Sequence, residues 1–264
     1  MKIRLTFAFA LAFALAFTTS ASAQLAAPNA AGVSMGHVHF TVRDVDSNRS
    51  FFVLLGGIPV ASGALQMIEF PGMYVLLDKG EPSGGSVGSA INHFGFQVRN
   101  MQDWLPKWQA AGLRMEPMTR PNQVYLRTPD DVRVEILEEP SLPTAVAGHH
   151  IHFATRDIPG MRAWYAKTFG AVPGKRAQFE TADLPGINLT FSSIDVTAAN
   201  TMGRALDHIG FEVRNLPVFL AKLQTSGITT GPLTKIPNSA VAAASFTDPW
   251  GTYIELTEGL TPSR

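Results

Sequence analysis

Apolar and polar positions alternate, residue by residue, in four short stretches that resemble one another. His37-Val38-His39-Phe40-Thr41-Val42-Arg43-Asp44 returns as His93-Phe94-Gly95-Phe96-Gln97-Val98-Arg99-Asn100. It returns again as His150-Ile151-His152-Phe153-Ala154-Thr155-Arg156-Asp157 and as His208-Ile209-Gly210-Phe211-Glu212-Val213-Arg214-Asn215. The leading histidines lie 56 to 58 residues apart, a period regular enough to mark an internal repeat. Alternation with period two is a strand signal, so each histidine shares a sheet face with the residue two later. Each stretch then passes through arginine to Asp or Asn, side chains suited to capping a helix.

Helical spacing follows each strand and ends at glycine. Unit one places Phe51, Phe52, Leu54 and Leu55 before Gly56-Gly57, and unit two places Trp104, Leu105 and Trp108 between about Gln102 and Gly112. The third helix starts at Pro159 and stops at Gly170, and the fourth runs from Pro217 to Gly227. Strand patterns come next: 59–62, 65–70 and 73–77 in unit one, then 113–118, 123–128 and 132–138 in unit two. Closing strands recur at 187–191 and 252–257. The fold class is therefore α+β, four βαβββ units of about 57 residues. One helix cannot cover four strands, so the units must pair. Chain order suggests domains at 35–139 and 148–260, joined by a proline-containing linker at 140–147, although the sequence leaves open whether unit one pairs with two or with four.

The first 23 residues differ in kind. Lys2 and Arg4 precede an apolar run, Leu5 to Phe17, and the small-residue site Ala21-Ser22-Ala23, the order of a secretory signal too short to be a good membrane span. A periplasmic or secreted protein is expected, with 24–34 a flexible leader. Basic and acidic residues balance at 21 each, so neither a nucleic-acid partner nor an anionic membrane surface is indicated. Cysteine is absent, so any metal site must use histidine and carboxylate.

The last strands of units two and four, and only those, carry a glutamate between apolar neighbours: Glu135 and Glu255, where units one and three have Leu76 and Thr190. A buried carboxylate costs several kcal/mol if unpaired, so each needs a partner. An arginine would serve. A recurring set of two histidines and one glutamate points instead to a divalent ion, because two imidazoles and a carboxylate form the facial set of mononuclear Fe(II) or Mn(II) centres. In chain order the sets are His37, His93 and Glu135, then His150, His208 and Glu255.

The repeated strands, with the closing Thr128-Pro129-Asp130-Asp131-Val132-Arg133-Val134-Glu135 and Thr247-Asp248-Pro249-Trp250-Gly251-Thr252-Tyr253-Ile254-Glu255, resemble the vicinal oxygen chelate superfamily. That group embraces glyoxalase I, extradiol dioxygenases, fosfomycin-resistance proteins and metal-free bleomycin-binding proteins. The resemblance covers about 35–260 and implies two cupped mixed-sheet domains with a metal inside the cup, held by the six residues just named. It also implies a departure, since glyoxalase I adds a glutamate at the slot that Leu76 and Thr190 occupy here, and this favours three-ligand relatives.

His39 and His152, on the ligand face, are candidate proton carriers, and Tyr125, ten residues before Glu135, is a candidate acid. His149 should face solvent, Trp250 should line the pocket, and Arg43, Arg99, Arg156 and Arg214 should form ion pairs at helix starts. Three functions compete. One is an extradiol-like dioxygenase using Fe(II) or Mn(II) on a substrate with adjacent oxygens. The second is a lyase or isomerase using a divalent ion, Zn or Ni included, as Lewis acid. The third is a metal-free module that binds a small molecule. The only partner expected beyond that small molecule is a second copy, the chain being a monomer or a homodimer.

Overall fold

The polar residues that end the repeated stretch do what their chemistry suggests. Asp44, Asn100, Asp157 and Asn215 each accept a backbone N–H from the helical turn that follows. A computed structural model describes residues 25–261, and the expected signal sequence lies outside the described residues. Unit one is β1 (Val33–Val42), α1 (Val45–Leu54), β2 (Ile58–Ser62), β3 (Leu65–Phe70) and β4 (Met73–Lys79). Unit two is β5 (Ile91–Val98), a 3₁₀ turn at Met101–Asp103, α2 (Leu105–Ala110), β6 (Arg114–Met115), β7 (Gln123–Arg127) and β8 (Arg133–Glu138). Its helix is shorter than the sequence suggests, and it carries Pro106 in its first turn, where a missing amide costs little. Unit three is β9 (Val146–Thr155), α3 (Ile158–Phe169), β10 (Val172–Arg176), β11 (Phe179–Leu184) and β12 (Ile187–Ser193). Unit four is β13 (Leu206–Val213), α4 (Leu216–Thr225), β14 (Thr234–Lys235), β15 (Ala242–Thr247) and β16 (Tyr253–Glu258). No helix among the described residues is long and apolar enough to cross a membrane.

Two eight-stranded mixed sheets result, but chain order does not set their composition. One sheet runs β14-β15-β16-β13-β1-β4-β3-β2 and joins unit one to unit four. The other runs β10-β11-β12-β9-β5-β8-β7-β6 and joins unit two to unit three. Domains at 35–139 and 148–260 are thus corrected, because β1 pairs antiparallel with β13 and β5 with β9. The four leading strands have similar pairing edges, so period and pattern cannot choose among them. Tertiary contacts do: the connector after unit one hydrogen-bonds to the connector before unit four, through Ser83 to Gly203, Ala90 to Ala199 and Ala205 to Gly84. The supposed linker is also shorter, since Val146 and Ala147 already belong to β9.

The apolar members of each alternation meet in one shared core. Phe40 of β1 contacts Phe94 of β5 at 5.6 Å between ring centroids, and Phe70 of β3 contacts Phe96 at 4.5 Å, so the two sheets share an aromatic interface. Helices seal that interface: Trp108 of α2 donates its Nε1–H to the Leu54 carbonyl of α1, and Phe169 of α3 stacks on Phe219 of α4. Burying these rings removes well over 100 Å² of apolar surface each and holds both sheets in a fixed relation. Trp250 packs against Trp164 of this core rather than lining a pocket. The leader is tied down as well. Asn29 Nδ2 donates to the carbonyls of Phe169 and Gly170, and Val33 is already in β1. The arginine expectation holds for Arg43, which pairs with Glu81 and with Asp130 of unit two, and fails for Arg99, which donates to the carbonyls of Leu142 and Pro143.

Candidate metal centres

The histidine of each alternation points the other way, into the hollow of its sheet. In the sheet of units two and three, His93 of β5 lies opposite His152 of β9, and Gly95 lies opposite His150. A Cβ on Gly95 would sit 2.2 Å from His150 Cε1, so only glycine leaves room for that ring. A β-bulge falls between the Gly95–His150 and Phe96–Gly148 pairs and leaves His149 opposite no residue. The expectation of a solvent-facing His149 is therefore corrected: the bulge re-aims it, and its Nδ1 lies 2.8 Å from that of His150.

Glu135 of β8 completes the group. Its Oε2 lies 3.1 Å from His93 Nε2 and 2.9 Å from His150 Nε2. Burial lowers the pKa of both histidines, keeping them neutral. Burial alone would raise that of Glu135, but His150 and His93 outweigh it and hold the carboxylate ionised. His93 gives its Nδ1–H to Asn92 Oδ1 at 2.8 Å, so its Nε2 carries a lone pair. His150 Nε2 is buried without a hydrogen bond although the carboxylate is near. One side-chain nitrogen or oxygen from each of three strands thus converges on one point, the kind of donor set that a divalent ion takes. The residues fit a divalent ion. His152 is near enough to be a fourth donor, since one ligand atom from each of His93, Glu135, His150 and His152 lies within 4.8 Å of the others.

The second group, in the sheet of units one and four, is a near copy. His37 Nε2 is 3.2 Å and His208 Nε2 3.8 Å from Glu255 Oε2. Ring centroids of His37, His208 and His39 are separated by 5.6, 4.4 and 6.0 Å, against 5.3, 4.4 and 5.9 Å for His150, His93 and His152. Gly210 makes room for His37 as Gly95 does for His150. His208 differs in charge: burial opposes protonation, but Asp207 at 2.7 Å and Glu255 raise its pKa to about 9. His37, buried beside the same glutamate, is pushed down to about 4 by burial. The sequence sets are thus re-sorted. Glu135 works with His93 and His150, Glu255 with His37 and His208, because the units pair crosswise.

Surroundings separate the two cups. In the sheet of units one and four, Tyr74 and Leu76 stand beside His37 and His39, and with Met67, Val241 and Leu260 they form a buried apolar cluster. At the matching places the other sheet has Asn188 and Thr190. There a cavity of about 300 Å³ opens beside Glu135 and His152, lined also by Gln123, Tyr125, Arg176 and Phe179. Tyr125 donates its hydroxyl to Glu135 Oε1 at 3.1 Å, and Gln123 Nε2 donates to the same oxygen. Burial, then the charge of Glu135, pushes the Tyr125 pKa up to about 12, so it remains a phenol. Arg133 lies 3.6 Å from the centroid of its ring. His152 is held neutral by burial, its pKa near 3, with Nε2 2.6 Å from Ser192 Oγ and Nδ1 buried without a partner. His39 stands in the equivalent place, 3.2 Å from Asp78.

Sequence reasoning missed Gln123, Arg176 and Phe179, which lie in segments with no repeated motif. Asn92 and Asp207 had a signal: a polar residue precedes the leading histidine in both even-numbered units.

Comparison with known proteins agrees with this architecture. Residues 147–256 match the family model of the Glyoxalase/Bleomycin resistance protein/Dioxygenase superfamily. No curated protein sequence matches the chain. Among solved structures, glyoxalase I from Zea mays superposes with a TM-score of 0.68 at 14% identity, covering 86% of this chain and 92% of that one. Its V278E variant gives 0.68 at 15%, with the same coverage of both chains. A candidate dioxygenase from Bacillus subtilis gives 0.63 at 15%, covering 87% and 86%. At such identities the likeness is one of fold, and the fold is glyoxalase/dioxygenase-like across nearly the whole described chain.

Proposed function

We propose that the chain is a metal-dependent enzyme of the vicinal oxygen chelate type, working in the cup of units two and three. Our reading of the reaction is an extradiol-like dioxygenase acting on a small substrate that presents two adjacent oxygens. The observation that carries it is the meeting of His93 Nε2, His150 Nε2 and Glu135 Oε2, with Glu135 also lining an open cavity. When bound, Fe(II) or Mn(II) would supply Lewis acidity toward the substrate oxygens and one-electron chemistry toward dioxygen.

The chain's own groups fit the remaining tasks. Tyr125, a phenol at neutral pH, holds a proton at the cavity wall that it can deliver to a developing oxyanion. His152, neutral and with an unpartnered Nδ1, can orient a substrate hydroxyl by hydrogen bonding. Gln123 and Tyr125 fix Glu135 through its other oxygen, holding the carboxylate in one orientation. Phe179, 5.1 Å from the His152 ring, gives the cavity an apolar wall against which a flat substrate can lie and exclude water. The plugged cup of units one and four we assign to metal binding without turnover. We also place the mature protein outside the cytoplasm, on the strength of residues 1–23.

A second reading, a lyase or isomerase, is favoured by one feature. His152 stands within ligand distance of the other three groups, and a four-ligand site leaves fewer positions for both substrate and oxygen. Metal analysis with oxygen uptake over a panel of o-diphenols decides between them. Stoichiometric iron or manganese with oxygen consumed supports the dioxygenase. Bound metal with no uptake, but isomerisation or addition on other substrates, supports the second reading. No metal in either cup, with small-molecule binding unaffected by His93→Ala, would leave only a binding module.

A further inference from the structure

Two cations, Arg120 and Arg176, line the cavity of units two and three, and Arg120 is exposed whereas Arg176 is partly buried. Arg176 ends β10, and its Nη2 donates to Thr190 Oγ1 at 2.8 Å, which aims the guanidinium along the floor of the cup. Its Nε is buried and has no hydrogen-bond partner. Arg133 nearby pairs with Glu116 at 2.5 Å, and Arg127 pairs with Glu116 at 2.8 Å and with Asp131 at 3.6 Å. Among the described residues Arg176 makes no such ion pair. Burial lowers its pKa, while Glu135 is the largest influence opposing that effect. At the matching place, unit one has Ser62, paired with Leu65 as Arg176 is with Phe179. The cation therefore belongs to the open cup alone.

Charge balance gives it a purpose. Even without a metal Glu135 offsets Arg176 only in part, because the carboxylate is already shared with His93, His150, Gln123 and Tyr125. A divalent ion beside Glu135 leaves the ion and Arg176 with about two positive charges uncompensated in a partly buried cavity; a diol that has lost one proton offsets one of them and leaves the charge of Arg176 for a further anion. Phe179 and Tyr125 in the same wall suit an aromatic ring.

Resting on the metal-centre reading above, we propose that the substrate carries a carboxylate besides its pair of adjacent oxygens, and that Arg176 receives it. The class is an aromatic o-diol bearing a carboxylate, the guanidinium donating through its buried Nε and a second N–H. Arg176 is then the residue that determines specificity in this cup.

The test compares catechol with 3,4-dihydroxybenzoate by calorimetry, using full-length mature protein loaded with zinc so that no turnover intervenes. Wild type should bind the carboxylate about 10- to 100-fold more tightly, the range of a hydrogen bond between charged groups. Arg176→Met should abolish that preference while catechol affinity, metal content and melting temperature stay as they were. Arg176→Lys should keep part of it, with the charge retained and the fork lost. Equal binding of the two probes by wild type, or a preference that survives Arg176→Met, overturns the proposal. Metal content separates this result from failure of the underlying reading. If no metal is taken up, benzoate is titrated into the metal-free protein. Binding lost in Arg176→Met then upholds the anion site although the metal reading has failed, and binding that is absent or unchanged overturns both.

Discussion

Adding one methyl group at Gly95 tests both the crosswise pairing and the packing of the open cup. Built on the existing backbone, the new Cβ would lie 2.2 Å from His150 Cε1 and 2.6 Å from its Nδ1, where ordinary contact needs about 3.4 Å or more. The ring must retreat by roughly 1 Å, while a metal site tolerates about 0.2 Å in a ligand distance. It has nowhere to go, since His150 is fully buried and His149 stands at its other side, 2.8 Å away. Overpacking of this sort costs about 1–3 kcal/mol. Gly95 has no left-handed backbone, so without the clash alanine would instead stabilise the fold by about 0.4–1 kcal/mol through the unfolded chain. The sign of the effect thus decides the matter. Gly95→Ala should lower the melting temperature by about 2–8 °C for a chain of this size and remove metal from the cup of Glu135. Calorimetry and elemental analysis measure both. Gly210→Ala should do the same to the cup of Glu255 alone. A Gly95→Ala protein that melts higher and keeps its full metal complement would refute the packing. One that loses metal from the His37 cup instead would refute the pairing.

Further outcomes follow from the same geometry. Tyr125→Phe should reduce kcat about 100-fold with metal content unchanged, because it removes the proton next to Glu135 and nothing that binds the ion; an unaltered kcat would remove Tyr125 from the chemistry. Asp44→Ala should lower the denaturation midpoint and leave both cups intact, as its carboxylate caps α1 through the amides of Asp46 and Ser47, and chemical denaturation reads the loss. In metal-free protein, His37 and His152 titrate in the folded state near 4 and 3 instead of 6.5. The unfolded chain therefore takes up their protons first, and stability falls as pH drops from about 6.5 toward 3. His208 acts oppositely: with its pKa raised to about 9, its contribution is complete below 6.5 and is lost as pH rises through 9. Melting temperature against pH should peak between these windows, and a flat profile from pH 4 to 9 would contradict the assigned charges.

Local information in this chain is clear because it is repeated. The period-two alternation decided which residues are strand and which face each takes, and Asp44, Asn100, Asp157 and Asn215 marked the helix starts. Glu135 and Glu255 stood out as acids in apolar strands, and each has two of the four leading histidines beside it. These features depend on residues within one turn or one strand of each other, so the order of residues suffices to specify them.

Partnership was not legible. His37 was expected with His93 and Glu135 but meets His208 and Glu255, because four similar strand edges compete and sequence pattern scores them alike. The choice is made by contacts between distant segments: the hydrogen-bonded connectors, the shared core of Phe40, Phe94, Phe70 and Phe96, and a glycine opposite each buried imidazole. The difference between the cups is likewise a tertiary property. Leu76 and Thr190 look like a minor variation along the chain, yet one belongs to an apolar plug and the other holds Arg176 at the edge of an open cavity. By itself the sequence determined the repeated units and the chemistry they carry. Only the tertiary structure decided which units share a sheet, which three side chains meet and which cup has a cavity beside its glutamate, because those outcomes depend on distances between residues that the chain holds far apart.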